Sequence, residues 1–275
     1  MGTKDLRGNV PTFWRSYGQG PRQALMFHCS LAHSGAFAGM AKGLGDLLTM
    51  RAFDLPGHGQ SADWDGQTPL QRLTVDMALD LLEGPTDLIG HSFGGTAALR
   101  LACERPDLVR SLTLIEPVYF AAAYADHSGL GEQHGTEMAE IADAIAAYDR
   151  ETAARLFLRV WGDGRPWAAL PEAMQTRMKA QIHLITAAHP EIGLDTPGLL
   201  ASGAVEALQI PTLLIEGGAS PHYVGKINAA LNRRIKGSQR QVIDGAGHMV
   251  AMSHADEAAK VTRAFLETAA PAPAR

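Results

Sequence analysis

A serine and a histidine stand in glycine-rich turns that each follow an apolar run. Ser92 is central in Gly-His-Ser-Phe-Gly at residues 90–94, and His248 ends Gly-Ala-Gly-His at residues 245–248. In a Gly-x-Ser-x-Gly turn the serine joins a strand to a helix, and a Cβ two positions away would strike the neighbouring backbone. The turn lifts the hydroxyl toward the N–H groups at the helix start. An imidazole titrates near neutral pH and can take the serine proton, so the pair predicts nucleophilic attack on a carbonyl.

The elements that must position these residues are short apolar runs that alternate with helical patterns. Strands are predicted at residues 13–17, 23–28, 50–54, 86–91, 109–117, 210–215 and 240–243. Helices are predicted at residues 36–48, 69–83, 94–104, 222–235 and 255–268. This alternation predicts an α/β fold: a mostly parallel, twisted sheet of about eight strands, with helices on both faces.

The middle of the chain breaks the alternation. Little strand signal is present from residue 118 to about residue 207, where helices are predicted at 137–160 and 171–188. We therefore predict a core formed by residues 1–118 and 209–275, with an all-helical cap, residues 119–208, inserted at the carboxyl edge of the sheet. A cap at that edge would cover a pocket.

Three motifs in order carry a family resemblance: Asp-Leu-Pro-Gly-His-Gly-Gln-Ser at 54–61, Gly-His-Ser-Phe-Gly-Gly at 90–95 and Gly-Ala-Gly-His at 245–248. Together they resemble the α/β-hydrolase superfamily over residues 13–266. The resemblance implies that Ser92 is the nucleophile and His248 the general base. Asp54 and His58 are expected to shape a structural loop beside the site.

The resemblance also implies an oxyanion hole formed by the backbone N–H groups of Phe93 and Ser30. The family usually has glycine where this chain has Cys29, and a Cβ there narrows the allowed backbone geometry. The N–H of Leu31 is therefore a second candidate. For the Cys29 thiol we weigh a small buried filler against a reactive group.

The triad acid departs from the commonest family pattern. That pattern places an aspartate shortly after the strand at 210–215, where this chain has Ser220 and no Asp or Glu between residues 217 and 237. Glu116 is the candidate acid, since it ends the strand after the nucleophile helix. Some family members, including one branch of the haloalkane dehalogenases, take their acid from this position. Glu216, Asp244 and a solvent-facing Glu116 remain alternatives.

The predicted reaction is hydrolysis of a small carboxylic ester, or of a thioester or lactone, through an acyl-enzyme on Ser92. Six side chains are candidates for an apolar acyl pocket or, alternatively, for core packing: Tyr119, Phe120, Tyr124, Trp161, Trp167 and Met249. Two other functions stay open. One is hydrolysis of a carbon–carbon bond in a β-diketone-like substrate. The other is ligand binding without catalysis, which Ser220 would suit. Serine at the turn argues against dehalogenase and epoxide hydrolase chemistry, which need a carboxylate nucleophile.

Composition limits the partners. The 275 residues are 46% hydrophobic and 19% charged, with a net charge of −5. Without a basic cluster, nucleic acid is not expected as a partner. No run approaches the roughly 20 apolar residues of a membrane span, and residues 1–9 lack the apolar centre of a secretion signal. Two cysteines fit a reducing cytoplasm. No metal-ligand spacing or phosphate-binding loop is present, so neither a metal nor a cofactor is expected. The expected partner is a small-molecule acyl substrate; the oligomeric state stays open.

Overall fold

A computed structural model describes residues 2–269 and contains, within that range, one sheet of eight strands in the order β1-β2-β4-β3-β5-β6-β7-β8. The strands are β1 (Gly2–Arg7), β2 (Val10–Tyr17), β3 (Arg22–Phe27), β4 (Leu48–Phe53), β5 (Thr86–His91), β6 (Val109–Ile115), β7 (Thr212–Gly217) and β8 (Gln239–Ile243). Strand β1 pairs antiparallel with β2, and β2 pairs antiparallel with β4. The other six strands, β4, β3, β5, β6, β7 and β8 in their order across the sheet, are parallel to one another. The predicted α/β class is confirmed.

The helices alternate with these strands except in the middle of the chain. The first three are α1 (Ala38–Leu44), α2 (Leu70–Leu79) and α3 (Phe93–Glu104). Between β6 and β7 lie α4 (Phe120–Asp126), α5 (Leu130–Ala146), α6 (Arg150–Trp161), α7 (Glu172–Gln181) and α8 (His183–Ile192). The last three are α9 (His222–Arg234), α10 (Val250–Ser253) and α11 (Ala255–Thr268).

Strand β5 lies at the centre of the sheet, and every one of its residues is buried. It pairs with β3 on one side and β6 on the other, and the registers place Phe27 opposite Gly90 and His91 opposite Ile115. Ile115 in turn lies opposite Ile215 of β7. Parallel strands in this register end together at one edge, so the segments that follow β3, β5, β6 and β7 converge there.

Two apolar layers cover the faces of the sheet. One face packs against α2, α3, α4 and α9, with Leu88, Ala97 and Ile227 fully buried. The other packs against α1, α10 and α11, with Ile89, Met40 and Leu266 fully buried. The alternation of Leu88 and Ile89 between the two layers is what a strand covered on both faces requires.

The segment between β6 and β7 (residues 116–211), here named the helical insertion, contains no strand within the range that the structure describes. It is joined to the rest of the chain by polar contacts. The carboxylate of Glu191 accepts hydrogen bonds from the backbone N–H groups of Gln71 and Arg72 and pairs with Arg100 at 2.8 Å. Glu191 is buried, so losing its arginine partner would leave an uncompensated charge.

Several predicted boundaries were wrong. The helix predicted over 137–160 is two helices, because Tyr148 takes a left-handed φ of 60° and Asp149 caps the next helix by accepting from the N–H of Thr152. The helix predicted over 171–188 is likewise divided into α7 and α8, and α4 was missed.

Strand β1 was also missed. It is an exposed edge strand of polar composition, joined to β2 through Gly8 and Asn9, both with positive φ. None of the helices described in residues 2–269 is long and apolar enough to span a bilayer.

Candidate active site

The turn after β5 has the strained geometry that its glycines allow. Ser92 has φ 56° and ψ −122°, and α3 begins at the next residue. A Cβ on Gly90 would lie 2.6 Å from the Gly94 carbonyl oxygen, and one on Gly94 would lie 2.4 Å from the carbonyl oxygens of Phe27 and His28. Both positions therefore exclude any side chain, and this close packing holds the Ser92 hydroxyl at the carboxyl edge of the sheet.

Ser92, His248 and Glu116 form a hydrogen-bonded series. The Oγ of Ser92 lies 2.9 Å from Nε2 of His248, and Nδ1 of His248 lies 2.9 Å from Oε2 of Glu116. All three residues are buried. An ionised carboxylate only accepts hydrogen bonds, so Nδ1–H donates to Glu116 and Nε2 is left to accept from the serine hydroxyl. This tautomer can take a proton from Ser92.

The carboxylate of Glu116 is held from its other side. Its Oε1 accepts from the backbone N–H of Gly217 at 2.5 Å and from the Ser220 hydroxyl at 2.8 Å. Glu116 itself is fully buried with a left-handed φ of 51°, at the point where the chain leaves β6. Ser220 occupies the position where the family commonly has its acid. Here its hydroxyl instead donates to Glu116, the carboxylate that follows the adjacent strand β6.

The loop that carries His248 is positioned by His91, whose importance the sequence reasoning missed. Nε2–H of His91 donates to the backbone carbonyl of His248 at 2.8 Å. Burial, and then the neighbouring His248, lower the pKa of His91 to about 3, so the ring is neutral near pH 7. On the other side of His248, the ring of Trp161 makes an edge contact with centroids 4.8 Å apart. The position of His91 next to Ser92 was the available signal.

Two backbone N–H groups near Ser92 are unpaired. Within residues 2–269, neither Phe93 N–H nor Ser30 N–H donates a hydrogen bond, and both residues line the cavity that contains Ser92. The Leu31 N–H instead donates to Nε2 of His58 at 3.1 Å. The prediction of Leu31 as a donor is therefore corrected, because its N–H is already used.

The loop after β3 is fixed by histidines. His28 donates from Nδ1 to the Cys29 carbonyl and accepts at Nε2 from the Leu55 N–H. His58 similarly donates to the Pro56 carbonyl at 2.9 Å. Burial raises the pKa of the Cys29 thiol to about 12, so the protonated form dominates near pH 7 and the filler interpretation is favoured.

Asp54 and the alternative acids have other partners. The Asp54 carboxylate accepts from the N–H groups of Ser34 and Gln60, which orders the loop at residues 54–61. The Glu216 carboxylate accepts from Asn228 and Arg240. Asp244 is exposed. Neither Glu216 nor Asp244 is bonded to His248, so Glu116 is the carboxylate that the fold brings to this imidazole.

A cavity of about 280 Å³ opens beside Ser92. Much of its lining is apolar and comes from the helical insertion: Val118, Phe120, Met138, Phe157, Ile185 and Ile192. Trp161, another of the candidate pocket residues, also lines it. Sequence reasoning missed Met138, Phe157, Ile185 and Ile192 because which side of an insertion helix faces the site depends on how the helices pack.

Four of the predicted pocket residues do not line this cavity. The Tyr119 side chain is buried away from the cavity and its hydroxyl donates to Asp195. Tyr124 packs on Phe120, with its hydroxyl 2.5 Å from Nδ1 of His134, so it supports the wall without lining the cavity. Trp167 is also absent from the lining, and Met249 lines a neighbouring cavity instead.

No group of three or more His, Cys, Asp or Glu side chains among residues 2–269 is arranged to hold a metal ion. The expectation that no cofactor is needed stays a prediction.

Comparison with known proteins gives the class. The sequence profile of the Alpha/beta hydrolase family matches residues 24–261, and the chain belongs to this family.

Individual relatives share less than a third of their residues with this chain. The chain is 29% identical over 238 residues to a pimeloyl-[acyl-carrier protein] methyl ester esterase of Neisseria meningitidis serogroup A. The matched region covers 78% of this chain and 67% of that protein. It is also 29% identical over 271 residues to lipase LipV of Mycobacterium tuberculosis, which covers 91% and 95% respectively. Among solved structures, an alpha/beta hydrolase from Sphaerobacter thermophilus superposes with a TM-score of 0.73 at 20% identity, covering 96% of this chain and all of that one.

Proposed function

We propose that this protein is a serine hydrolase that cleaves a small carboxylic ester through an acyl-enzyme on Ser92. The observation that carries the proposal is the Ser92–His248–Glu116 series, with its two 2.9 Å contacts, at the wall of a largely apolar cavity. The relatives support ester hydrolysis, since the two described above are named as a methyl ester esterase and a lipase.

In the proposed first step, Nε2 of His248 takes the Ser92 proton while Oγ attacks the ester carbonyl carbon. The negative charge that develops on the carbonyl oxygen is stabilised by the N–H groups of Phe93 and Ser30. Glu116 keeps Nδ1 protonated and stabilises the imidazolium that forms. His248 then gives the proton to the departing alkoxide, which leaves as the alcohol.

In the second step, a water molecule replaces the alcohol. His248 removes a proton from this water as its oxygen attacks the acyl carbon, and the same N–H groups hold the second oxyanion. The imidazolium returns the proton to Ser92 Oγ, which releases the carboxylic acid. The helical insertion, which we propose acts as a cap, would limit water around the acyl group through its apolar side chains.

The interpretation as a binding protein without catalysis is less well supported. It depended on the serine at position 220, which leaves the usual acid position without a carboxylate. With Glu116 bonded to His248 from the neighbouring strand, that reason no longer applies. Thioesters and lactones would use the same groups, so the proposal extends to them.

The test is turnover and covalent labelling of the purified protein. We expect hydrolysis of p-nitrophenyl butyrate, and modification of Ser92 by a fluorophosphonate probe. Ser92→Ala should abolish both while keeping the circular dichroism spectrum of the wild type. A folded wild-type protein that neither turns over p-nitrophenyl esters nor reacts with the probe would sink the proposal and favour a binding protein.

A further inference from the structure

A second cavity, of about 490 Å³, lies beside the first. Ser30, Phe157 and Trp161 line both cavities, so the two adjoin next to the site of the proposed oxyanion hole. An ester has two parts on either side of its carbonyl group. When the carbonyl group of an ester lies at Ser92, its acyl group or its alcohol group can occupy the apolar cavity. The other group can then reach the second cavity.

The second cavity combines apolar surface with charge. Four methionines line it, Met174, Met178, Met249 and Met252, and flexible thioether side chains adapt to unbranched apolar chains. Among the charged lining groups, Arg165 pairs with Asp163 at 2.6 Å, so that these two charges offset one another.

Arg177 of α7 also lines the second cavity, and its positive charge is not offset by the Arg165–Asp163 pair. No carboxylate or other acceptor in the described residues 2–269 bonds to its guanidinium, and its Nε is shielded from solvent without a partner. Burial lowers the pKa of Arg177, yet a guanidinium stays charged at neutral pH. His33, which also lines the cavity, has its pKa lowered by burial and then by Arg177, and is neutral near pH 7. The cavity therefore holds one net positive charge.

We propose that Arg177 binds a carboxylate at the far end of the substrate, so that the natural ester carries a second, free carboxyl group. This inference rests on the proposed ester hydrolysis at Ser92. A half-buried guanidinium without a partner loses hydration that a bidentate carboxylate would replace. A single arginine suits the single charge of a carboxylate better than the double charge of a phosphate monoester. The methionine-lined wall suits a methylene chain between the two groups.

The experiment compares three esters, so that the part that carries the carboxylate is also identified. p-Nitrophenyl butyrate is neutral, mono-p-nitrophenyl glutarate carries a carboxylate on the acyl side, and 4-carboxyphenyl butyrate carries one on the alcohol side. The readout is selectivity, the ratio of kcat/KM for each anionic ester to kcat/KM for the neutral one. We expect the wild type to prefer one of the two anionic esters.

Arg177→Met removes the charge at similar side-chain length and should lower that selectivity about tenfold or more, mainly through KM. Arg177→Lys should restore part of it. The matched control is Arg155→Met, which removes the same charge from an exposed position of α6 and should leave the selectivity unchanged. No preference in the wild type, or equal selectivity in wild type and Arg177→Met, would overturn the proposal.

Binding separates this inference from the proposed function. In Ser92→Ala protein the two anionic esters cannot acylate residue 92, because alanine has no nucleophilic oxygen, and calorimetry then measures their affinity directly. If the wild type fails to hydrolyse p-nitrophenyl butyrate, the proposed function fails, whereas the carboxylate site is still supported by binding that the additional change Arg177→Met weakens. Binding that ignores Arg177 overturns the site whatever the activity.

Discussion

Glu116→Gln is the substitution that separates the proposed acid from its alternatives. Glu116 accepts three hydrogen bonds, from Nδ1 of His248, from Gly217 N–H and from Ser220 Oγ. A glutamine of the same shape can still accept the last two through its amide oxygen. Its NH₂ group would face Nδ1 of His248, and this requires that Nδ1 become an acceptor and Nε2 carry the proton. That tautomer cannot take the Ser92 proton.

The size of the effect follows from the lost charge. A carboxylate about 4 Å from an imidazolium is worth about 4 kcal/mol at an effective dielectric constant of 20. At 1.36 kcal/mol for each factor of ten, kcat should fall about 10³-fold. Because the substitution keeps the shape and two of the three hydrogen bonds, the protein should stay folded.

The assay is p-nitrophenyl butyrate hydrolysis under saturating substrate, with Glu216→Gln as the matched control. Glu216 lies on the neighbouring strand β7, is similarly buried and bonds to Asn228 and Arg240. We expect its variant to retain kcat within severalfold of the wild type. If Glu216→Gln abolishes turnover and Glu116→Gln does not, while both proteins keep their native spectra, the assignment of Glu116 is refuted.

Two further outcomes test how the site is supported. Ser220→Ala removes one donor to Glu116 Oε1 and should lower the free energy of unfolding by about 1.5–3 kcal/mol, with a modest fall in kcat; unchanged urea denaturation and kcat would show that this hydrogen bond carries no weight. The pKa of His91 is about 3 in the folded protein, compared with 6.5 for an ordinary histidine side chain. Between pH 3 and pH 6.5 the folded protein therefore binds fewer protons at His91 than the unfolded chain does. The free energy of unfolding should therefore rise with pH in this window, by up to about 1.4 kcal/mol per unit from this one group. His91→Gln should reduce that slope, and an unchanged slope in urea titrations at different pH values would contradict the lowered pKa of His91.

The parts of the site that could be predicted from the sequence are those fixed by local backbone geometry. The glycines at 90 and 94 have no room for a Cβ, so the turn around Ser92 was visible in the sequence. Glu116 could be proposed because parallel strands end at one edge, and its contact with His248 follows from that topology. The role of Ser220 could not be proposed from the sequence. Its hydroxyl lies in the turn after β7, and the sequence does not indicate which carboxylate this hydroxyl contacts.

The remaining errors have tertiary causes. Tyr119 is an aromatic residue of the kind that lines apolar pockets, but it is buried and its hydroxyl donates to Asp195 within the helical insertion. Leu31 has a suitable position, but His58 takes its N–H. Arg177 has an ordinary helical context in the sequence, and its lack of a partner appears only when the insertion is folded against the core. Such features depend on which segments meet, and residue spacing does not encode that directly.

The most direct test of the central claim is to trap the covalent intermediate. Wild-type protein mixed with p-nitrophenyl acetate, quenched in acid within milliseconds and digested should give the peptide that contains Ser92 with the mass of one acetyl group added. The same peptide from His248→Ala protein should remain unmodified on this timescale. Steady turnover of the ester with no acylation of Ser92, or with the acetyl group on another residue, would contradict the account.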